Sequence, residues 1–318
     1  MIEYPNADRL MAGELGKWLQ QQAQVREDAI KQSWDRVWKA AIVLVPLGAF
    51  FLILAPIEFS PKLWMLGIAG GLAWAWTQIP KQQAKKQVKT GINEAIAGSL
   101  GMTYNHDCEE TQAYQIAREY RLLPGHQRRS FEDLWEGRAA GYAFSLHEAH
   151  LQERRGSGKS RRWVTVFRGA IVSVAFERPF HGTTLLARNG QFSRVFGGAR
   201  DSIKLDGREL QRADMVGPDF EDRYDVYTTD QTEARWLIHP EYIERLLRLE
   251  SLFRGKGSAV VFTGGDMILA LEGGNLFESG SLDPQADRDM VARTIEQFAG
   301  IADLALTMNR LRPQDRDR

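Results

Sequence analysis

AAIVLVPLGAFFLILAPI, residues 40–57, and LWMLGIAGGLAWAWTQI, residues 63–79, are two runs without a charged side chain, separated only by Glu58 to Lys62. At a rise of about 1.5 Å per residue, runs of this length reach the ~27 Å of a bilayer's hydrocarbon core. Between Ile42 and Leu54 the first run is apolar on every side, whereas a helix buried in a soluble domain normally keeps some polar positions on an outer face. Pro46, Gly48 and Pro56 are types that membrane helices tolerate, and Trp34, Trp38, Trp64, Trp74 and Trp76 cluster near the run ends, where amphipathic rings sit at headgroup level. The reading is a two-helix transmembrane hairpin.

Orientation follows from the flanking charge. Arg36 and Lys39 precede the first run, Lys81, Lys85, Lys86 and Lys89 follow the second, and the connection carries Lys62 alone. Basic residues collect on the cytoplasmic side, so both termini are expected in the cytoplasm. The polar 38 residues before the first run argue against a cleavable signal peptide, whose apolar stretch begins sooner and is shorter. Glu58 to Lys62 leaves no room for an external domain. Gly67 and Gly71, four apart, give the second run a small-residue face for close contact, with the first run or with another protomer.

Composition agrees with a cytoplasmic bulk. Lysine and arginine number 41 against 41 aspartate and glutamate in 318 residues, which excludes a global attraction to nucleic acid or to acidic substrates. The single cysteine, Cys108, forms no intramolecular disulfide and suits reducing surroundings. Its neighbours Asp107, Glu109 and Glu110 raise a thiol's pKa, so it reads as an ordinary thiol.

The chain divides into a polar helix over 1–38, the hairpin over 39–80, a helical stalk over 81–100, an α+β domain over 101–311 and a disordered tail over 312–318. The first helix has a partial apolar stripe of Leu10, Leu15, Trp18 and Leu19, and lies on the membrane or pairs with another helix. Val88, Ile92 and Ile96 mark the stalk at intervals of four, and Gly101 ends it. Beyond it, short β-like runs predict a mostly antiparallel sheet with packing helices. Expected hairpins are Trp135 to Gln152 around Gly141, Arg162–Phe167 with Ala170–Phe176 around a turn at Arg168 and Gly169, and Ser258–Phe262 with Met267–Leu271. Thr183–Ala187 and Asp225–Thr228 are shorter strands. Helices follow from Pro240, with Tyr242, Leu246, Leu249 and Phe253 on one face, and from about Asp287 to Asn309; both should pack on the sheet.

Several strings imitate chemistry. GSGKS at Gly156 to Ser160 lacks the earlier glycine of a phosphate-binding loop, since Glu153 stands there, and it precedes a strand. His147 and His150 point to opposite faces of a strand and do not chelate one metal. His106, Asp107, Cys108 and Glu109 lack metal-ligand spacing. No metal, cofactor or Ser/His/Asp set is expected.

The most specific string is FEDRYDVYTTDQTEARWLIHPEYIER, Phe220 to Arg245. Asp230 and Glu233 form a capping-box pattern that predicts a short helix from Gln231 to Ile238; a strand would instead put Glu233 and Arg235 on one face. Arg235 either pairs with an acidic residue of the sheet or is left for an anionic ligand or partner. With FEDLWEG at Phe131 to Gly137 and VFRGAIVSVAFERPFHG at Val166 to Gly182, the string resembles the uncharacterised bacterial family called domain of unknown function 3137 over about Gly101 to Asp283. That resemblance brings no activity. It implies a membrane-anchored protein of the bacterial inner membrane, with relatives near LemA-type membrane proteins. His239 stands where such sequences commonly carry Thr, which removes a hydroxyl cap before Pro240.

The leading functional reading is a membrane-anchored interaction or scaffold protein, with the lipid bilayer and a protein partner, LemA-type on the resemblance, as what it touches. Asp230, Gln231, Glu233, Arg235 and His239 are the candidate interaction or ligand residues. The alternatives are a module for anionic lipid or a small anion, using Arg154, Arg155, Lys159, Arg161 and Arg162, and an enzyme whose site is assembled from distant residues, with Asp230, Glu233, Arg235 and His239 as the first suspects.

Overall fold

The computed structural model describes residues 4–55, 58–139, 141–176, 179–193, 198–215, 218–252 and 257–311. Pro56, the disordered tail expected over 312–318, and the side chain of Phe253 fall outside them. The chain forms two compact units, one of residues 6–95 with 279–292, the other built chiefly of 96–278 and 293 onward.

The first unit is helical. α1 (Ala7–Ala12) opens with Asn6, whose side chain accepts the Asp8 N–H, and α2 (Glu14–Leu54) and α3 (Phe59–Ser99) follow. The polar N-terminal stretch runs without a break into the first apolar run, and the second apolar run continues through Pro80. Side chains from α2 and α3 meet in antiparallel order: Lys62 Nζ donates to Leu52 O at 2.9 Å, Leu66 approaches Gly48, and Arg36 donates to Trp76 O at 3.1 Å. The lysine supplies a donor and a positive charge to the carbonyl end of α2.

The polar half of α2 pairs with other helices. Leu15 and Leu19 are buried, and Gly91 lies under the Trp18 ring so closely that a Cβ there would sit 2.2 Å from it. Val88 and Ile92, read as a stalk stripe, are fully buried. Arg26 donates twice to the Asp287 carboxylate, each at 2.9 Å, with both side chains almost wholly buried. Such a fork-to-carboxylate pair satisfies both charges where water does not reach. Ser279 Oγ donates to Asn93 Oδ1 at 2.9 Å in the same unit.

The second unit is α+β around one ten-stranded sheet. Its strands are β1 (Thr103–Asp107), β2 (Arg128–Ala139), β3 (Tyr142–Arg155), β4 (Arg162–Ala175), β5 (Thr184–Arg188), β6 (Ser202–Leu205), β7 (Arg208–Ala213), β8 (Tyr224–Thr228), β9 (Gly257–Thr263) and β10 (Asp266–Glu272). Their order is β1-β2-β3-β4-β10-β9-β5-β8-β7-β6, and the pairings are antiparallel throughout. The helices are α4 (Gln112–Glu119), α5 (Pro218–Glu221), α6 (Gln231–Leu237), α7 (Pro240–Leu252) and α8 (Asp287–Leu311), the last beginning in the first unit.

Both faces of the sheet carry core. Tyr114 and Ala117 of α4 join Leu151, Phe167, Ile171 and Tyr227 in one buried cluster. Elsewhere Trp135 packs against Phe277 and against Phe298 of α8, while Tyr242 of α7 meets Phe262 of β9. The expected packing of the Pro240 helix and the last helix is therefore present.

One expected hairpin is corrected. Residues 162–175 form a single strand, so Arg168 and Gly169 make no turn. Gly169 is there because β10 comes close: a Cβ at that position would lie 2.0 Å from Leu271 O. The Gly141 turn, the β9–β10 hairpin and the strands at β5 and β8 stand as read. Gly101, at φ +69°, closes α3 while the Met102 N–H reaches back to Ala97 O.

Candidate functional site

The string from Asp230 to Arg245 folds into two helices that follow the C-terminal end of β8, and the rival strand reading is set aside. Asp230 caps α6: its Oδ1 accepts the N–H groups of Thr232 at 2.9 Å and Glu233 at 3.0 Å. Glu233 does not close the capping box. The Asp230 N–H that it would need donates to Thr228 Oγ1 at 3.0 Å. The Glu233 carboxylate instead accepts the N–H groups of His181 at 2.9 Å and Gly182 at 2.8 Å.

That clasp explains the glycine. A Cβ at Gly182 would lie 2.7 Å from Thr229 Oγ1 and 2.9 Å from Asp230 Cβ, so only glycine lets the segment before β5 come this near. Thr229 Oγ1 completes the join by accepting the Thr183 N–H at 2.8 Å.

The other candidates separate. Gln231 Nε2 donates to Arg212 O at 3.2 Å. His239 Nδ1 faces the Tyr242 N–H at 3.4 Å, so an imidazole occupies the capping position where a hydroxyl is missing, and burial holds its pKa below the usual range. Arg245 bridges Glu241 at 2.9 Å and Asp303 of α8 at 2.6 Å. Arg235 is exposed, and among the described residues it makes no hydrogen bond or ion pair; the sheet partner entertained for it is not observed. Asp230 and Glu233 thus accept from backbone N–H groups, His239 uses Nδ1 alone and leaves Nε2 buried without a partner among the described residues, and the four suspects of the enzyme reading do not converge.

A polar cluster under the same string is not evident from spacing. Tyr224 donates to Glu250, which also accepts from Ser258 Oγ at 2.9 Å, all three buried. Burial, then the Glu250 charge, pushes the Tyr224 hydroxyl well above its ordinary range. The signal available was YDVYT, whose five residues are all buried as β8.

Residues 165–310 match a family model described as "Protein of unknown function (DUF3137)". The chain carries a DUF3137 domain. Within it lie almost all of β4, the Gly182 clasp and the α6–α7 string, so two of the three strings that suggested the family fall inside the match and FEDLWEG falls before it. A comparison with curated proteins gives no match. Among solved structures, the crystal structure of the mycobacterial trehalose monomycolate transport factor A, TtfA, aligns at 14% identity and a TM-score of 0.35, over 72% of this chain and 98% of that one.

Ahead of the DUF3137 segment, FEDLWEG forms a β-bulge between Glu132 and Trp135 that turns the Asp133 side chain inward at φ +58°. Asp133 Oδ1 accepts from Tyr104 at 2.6 Å and lies 3.0 Å from His106 Nδ1. His106, Glu132 and Asp133 place ligand-capable atoms within 4.8 Å of one another, a geometry able to hold a cation. Sequence spacing missed it because the carboxylates come from β2, the strand paired with the β1 strand that carries His106. Burial, then the charges of Glu136, Asp133 and Glu109, pushes the Cys108 thiol up to about 11. His147 and His150 occupy opposite faces of β3; burial lowers the first to about 4, and the second lies 2.8 Å from Thr165 Oγ1.

Arg154, Arg155, Arg161 and Arg162 are exposed around the β3–β4 turn, and Lys159 belongs to its 3₁₀ turn, Gly158–Ser160. In α3, a Cβ at Gly67 or Gly71 would meet nothing within 4 Å. Packing of that face on α2 is therefore corrected. The stripe turned inward is Lys62, Leu66, Ala69, Ala73 and Thr77, spaced as one helical face, with Leu66 Cδ2 3.3 Å from where a Gly48 Cβ would be.

Proposed function

We propose that this is a membrane-anchored interaction protein, with α2 and α3 crossing the bilayer as a hairpin and the DUF3137 unit on the cytoplasmic side of a bacterial inner membrane. The observation that carries the reading is where large apolar side chains are exposed. Sixteen of them, from Ile42 at 68% and Ile53 at 80% to Trp64 at 74% and Ile79 at 39%, fall within residues 42–79, against four in the rest of the described chain. Surface apolar residues are ordinarily scattered, and a continuous belt of this kind calls for an apolar solvent.

By length and composition, one helix among the described residues qualifies as a span: α2, whose apolar window has a mean hydropathy of 2.3 and is exposed almost throughout. The second run is less hydrophobic because tryptophan, glycine and Gln78 dilute it. It nevertheless shares the exposed belt and the antiparallel contacts, which supports a second crossing. Basic residues at both inner ends support cytoplasmic termini.

The interaction role rests on Arg235. Asp230, Glu233 and Arg245 of the family-like string are engaged in a cap, a clasp and ion pairs that hold the fold, whereas Arg235 is exposed and, among the described residues, makes no ion pair. An exposed cation on a short, rigid helix suits an acidic surface of a protein partner, and the family resemblance nominates a LemA-type membrane protein. Cross-linking in native membranes followed by purification of the full chain, beside Arg235→Ala, tests this. A specific partner held by the parent and lost by the folded variant supports the reading; recovery of the same partner by both, or of the chain alone, overturns it.

A further inference from the structure

The β3–β4 hairpin runs past the rest of the sheet. Pairing with β2 stops at Arg128 opposite Gln152, and pairing with β10 stops at Gly169. Glu153–Arg155 and Arg162–Val164 therefore have only each other as strand partners, a two-stranded ribbon whose one edge contact to the preceding chain is the Arg154 N–H donating to Gln127 Oε1 at 3.2 Å among the described residues.

On that ribbon Arg155 stands directly opposite Arg162. Like charges in this position destabilise a sheet, and the sequence from Glu153 to Arg162 holds the basic residues Arg154, Arg155, Lys159, Arg161 and Arg162 with one acidic residue, Glu153. Among the described residues, the one ion pair at the tip is Arg155 Nε to Glu153 at 3.0 Å, exposed to solvent. The turn is tight: Gly156 has φ +99°, and a Cβ there would lie 2.5 Å from Ser160 O. It leaves a cleft of about 400 Å³ lined by Arg155, Gly156, Ser160, Arg162 and Val164. On the ribbon's other face Arg154 is opposite Trp163, which is 44% exposed.

We propose that this cleft is a phosphate site, in which the guanidinium groups of Arg155 and Arg162 hold one phosphate from two sides and the Ser160 hydroxyl supplies a further donor. Planar guanidinium forks match the oxygens of a phosphate, and an anion between them removes the repulsion that the bare ribbon carries. The phosphate belongs either to an anionic phospholipid headgroup or to a soluble phosphate compound. Trp163 suits the first source, because its ring is at home at headgroup level. The site differs from the Arg235 face and does not depend on it.

The test is hydrogen exchange over residues 152–165 of the full chain in phosphate-free maltoside micelles, with phosphatidylglycerol mixed into the micelles or with glycerol phosphate added in solution. At a ligand level twice the Kd, exchange through local opening of the tip slows about threefold. Slowing with phosphatidylglycerol alone assigns a lipid headgroup, and slowing with both assigns phosphate from either source. The double variant Arg155→Gln, Arg162→Gln, whose side chains are exposed, keeps the exchange of the sheet and loses the effect. No slowing in either arm, or slowing that survives in the double variant, overturns the proposal.

Discussion

Replacing Glu233 with alanine removes a carboxylate that holds two backbone N–H groups, at 2.9 Å from His181 and 2.8 Å from Gly182. Hydrogen bonds to a charged group contribute ~1.5–3 kcal/mol each, and the half-exposed position and shared acceptor place this pair near the lower end, about 2–3 kcal/mol together. For a unit of this size, thermal unfolding then moves down by roughly 5–10 °C. Glu233→Gln keeps one acceptor oxygen and turns an amide N–H₂ toward the other donor, so it falls between parent and alanine. Thermal unfolding in maltoside micelles gives the magnitude, and hydrogen exchange gives the place: the amides at 181–183 open, with Thr229 following because its N–H donates to Thr183 O, while the Asp230 amide holds on Thr228 Oγ1. A loss below ~0.5 kcal/mol, or opening of the Asp230 amide in place of those at 181–183, would refute the clasp and restore the capping box.

Other consequences are as direct. Arg26→Ala leaves Asp287 as a buried charge without its fork, a loss of about 3–5 kcal/mol read by denaturant unfolding of the helical unit. Gly182→Ala forces a Cβ against Thr229 and Asp230 and lowers the same thermal transition that Glu233→Ala lowers, with a combined effect short of the sum. His147 is fully buried with its pKa lowered to about 4 from an ordinary 6.5, so its stability contribution is complete above pH 6.5 and is lost as pH falls toward 4. About 3 kcal/mol is involved, and His147→Gln flattens that part of the pH–stability curve. Arg235→Ala changes stability by less than ~0.5 kcal/mol, as expected of an exposed side chain that bonds to nothing in the described chain.

Much of the fold was legible where a single local pattern dominates. The apolar runs announced two helices, Pro240 announced α7, and the runs Ser258–Phe262 and Met267–Leu271 announced the β9–β10 hairpin. Arg168–Gly169 misled because glycine serves two purposes: in a turn it supplies positive φ, and in β4 it admits the backbone of β10, a strand almost a hundred residues later. The β6–β7 hairpin carried a readable Asp206–Gly207 turn, with both residues at positive φ, but its strands are short and largely polar, so no alternation drew attention to them. At the candidate site, Asp230 as a cap could be read from spacing alone. The target of Glu233 could not, since His181 and Gly182 are some fifty residues away and Thr228 had already taken the N–H that the local rule offers. The same limit hid the approach of Glu132 and Asp133 to His106.

The membrane anchor is tested most directly by the reactivity of single cysteines placed at Ile53, Ile68 and Gln21 in a Cys108→Ser background, in sealed vesicles treated with a membrane-impermeant maleimide. The account expects positions 53 and 68 to stay unlabelled from either side until detergent is added, and position 21 to react only when the cytoplasmic face is outward. Labelling at 53 and 68 in intact vesicles at the rate of position 21 would contradict it, because the exposed belt would then face water.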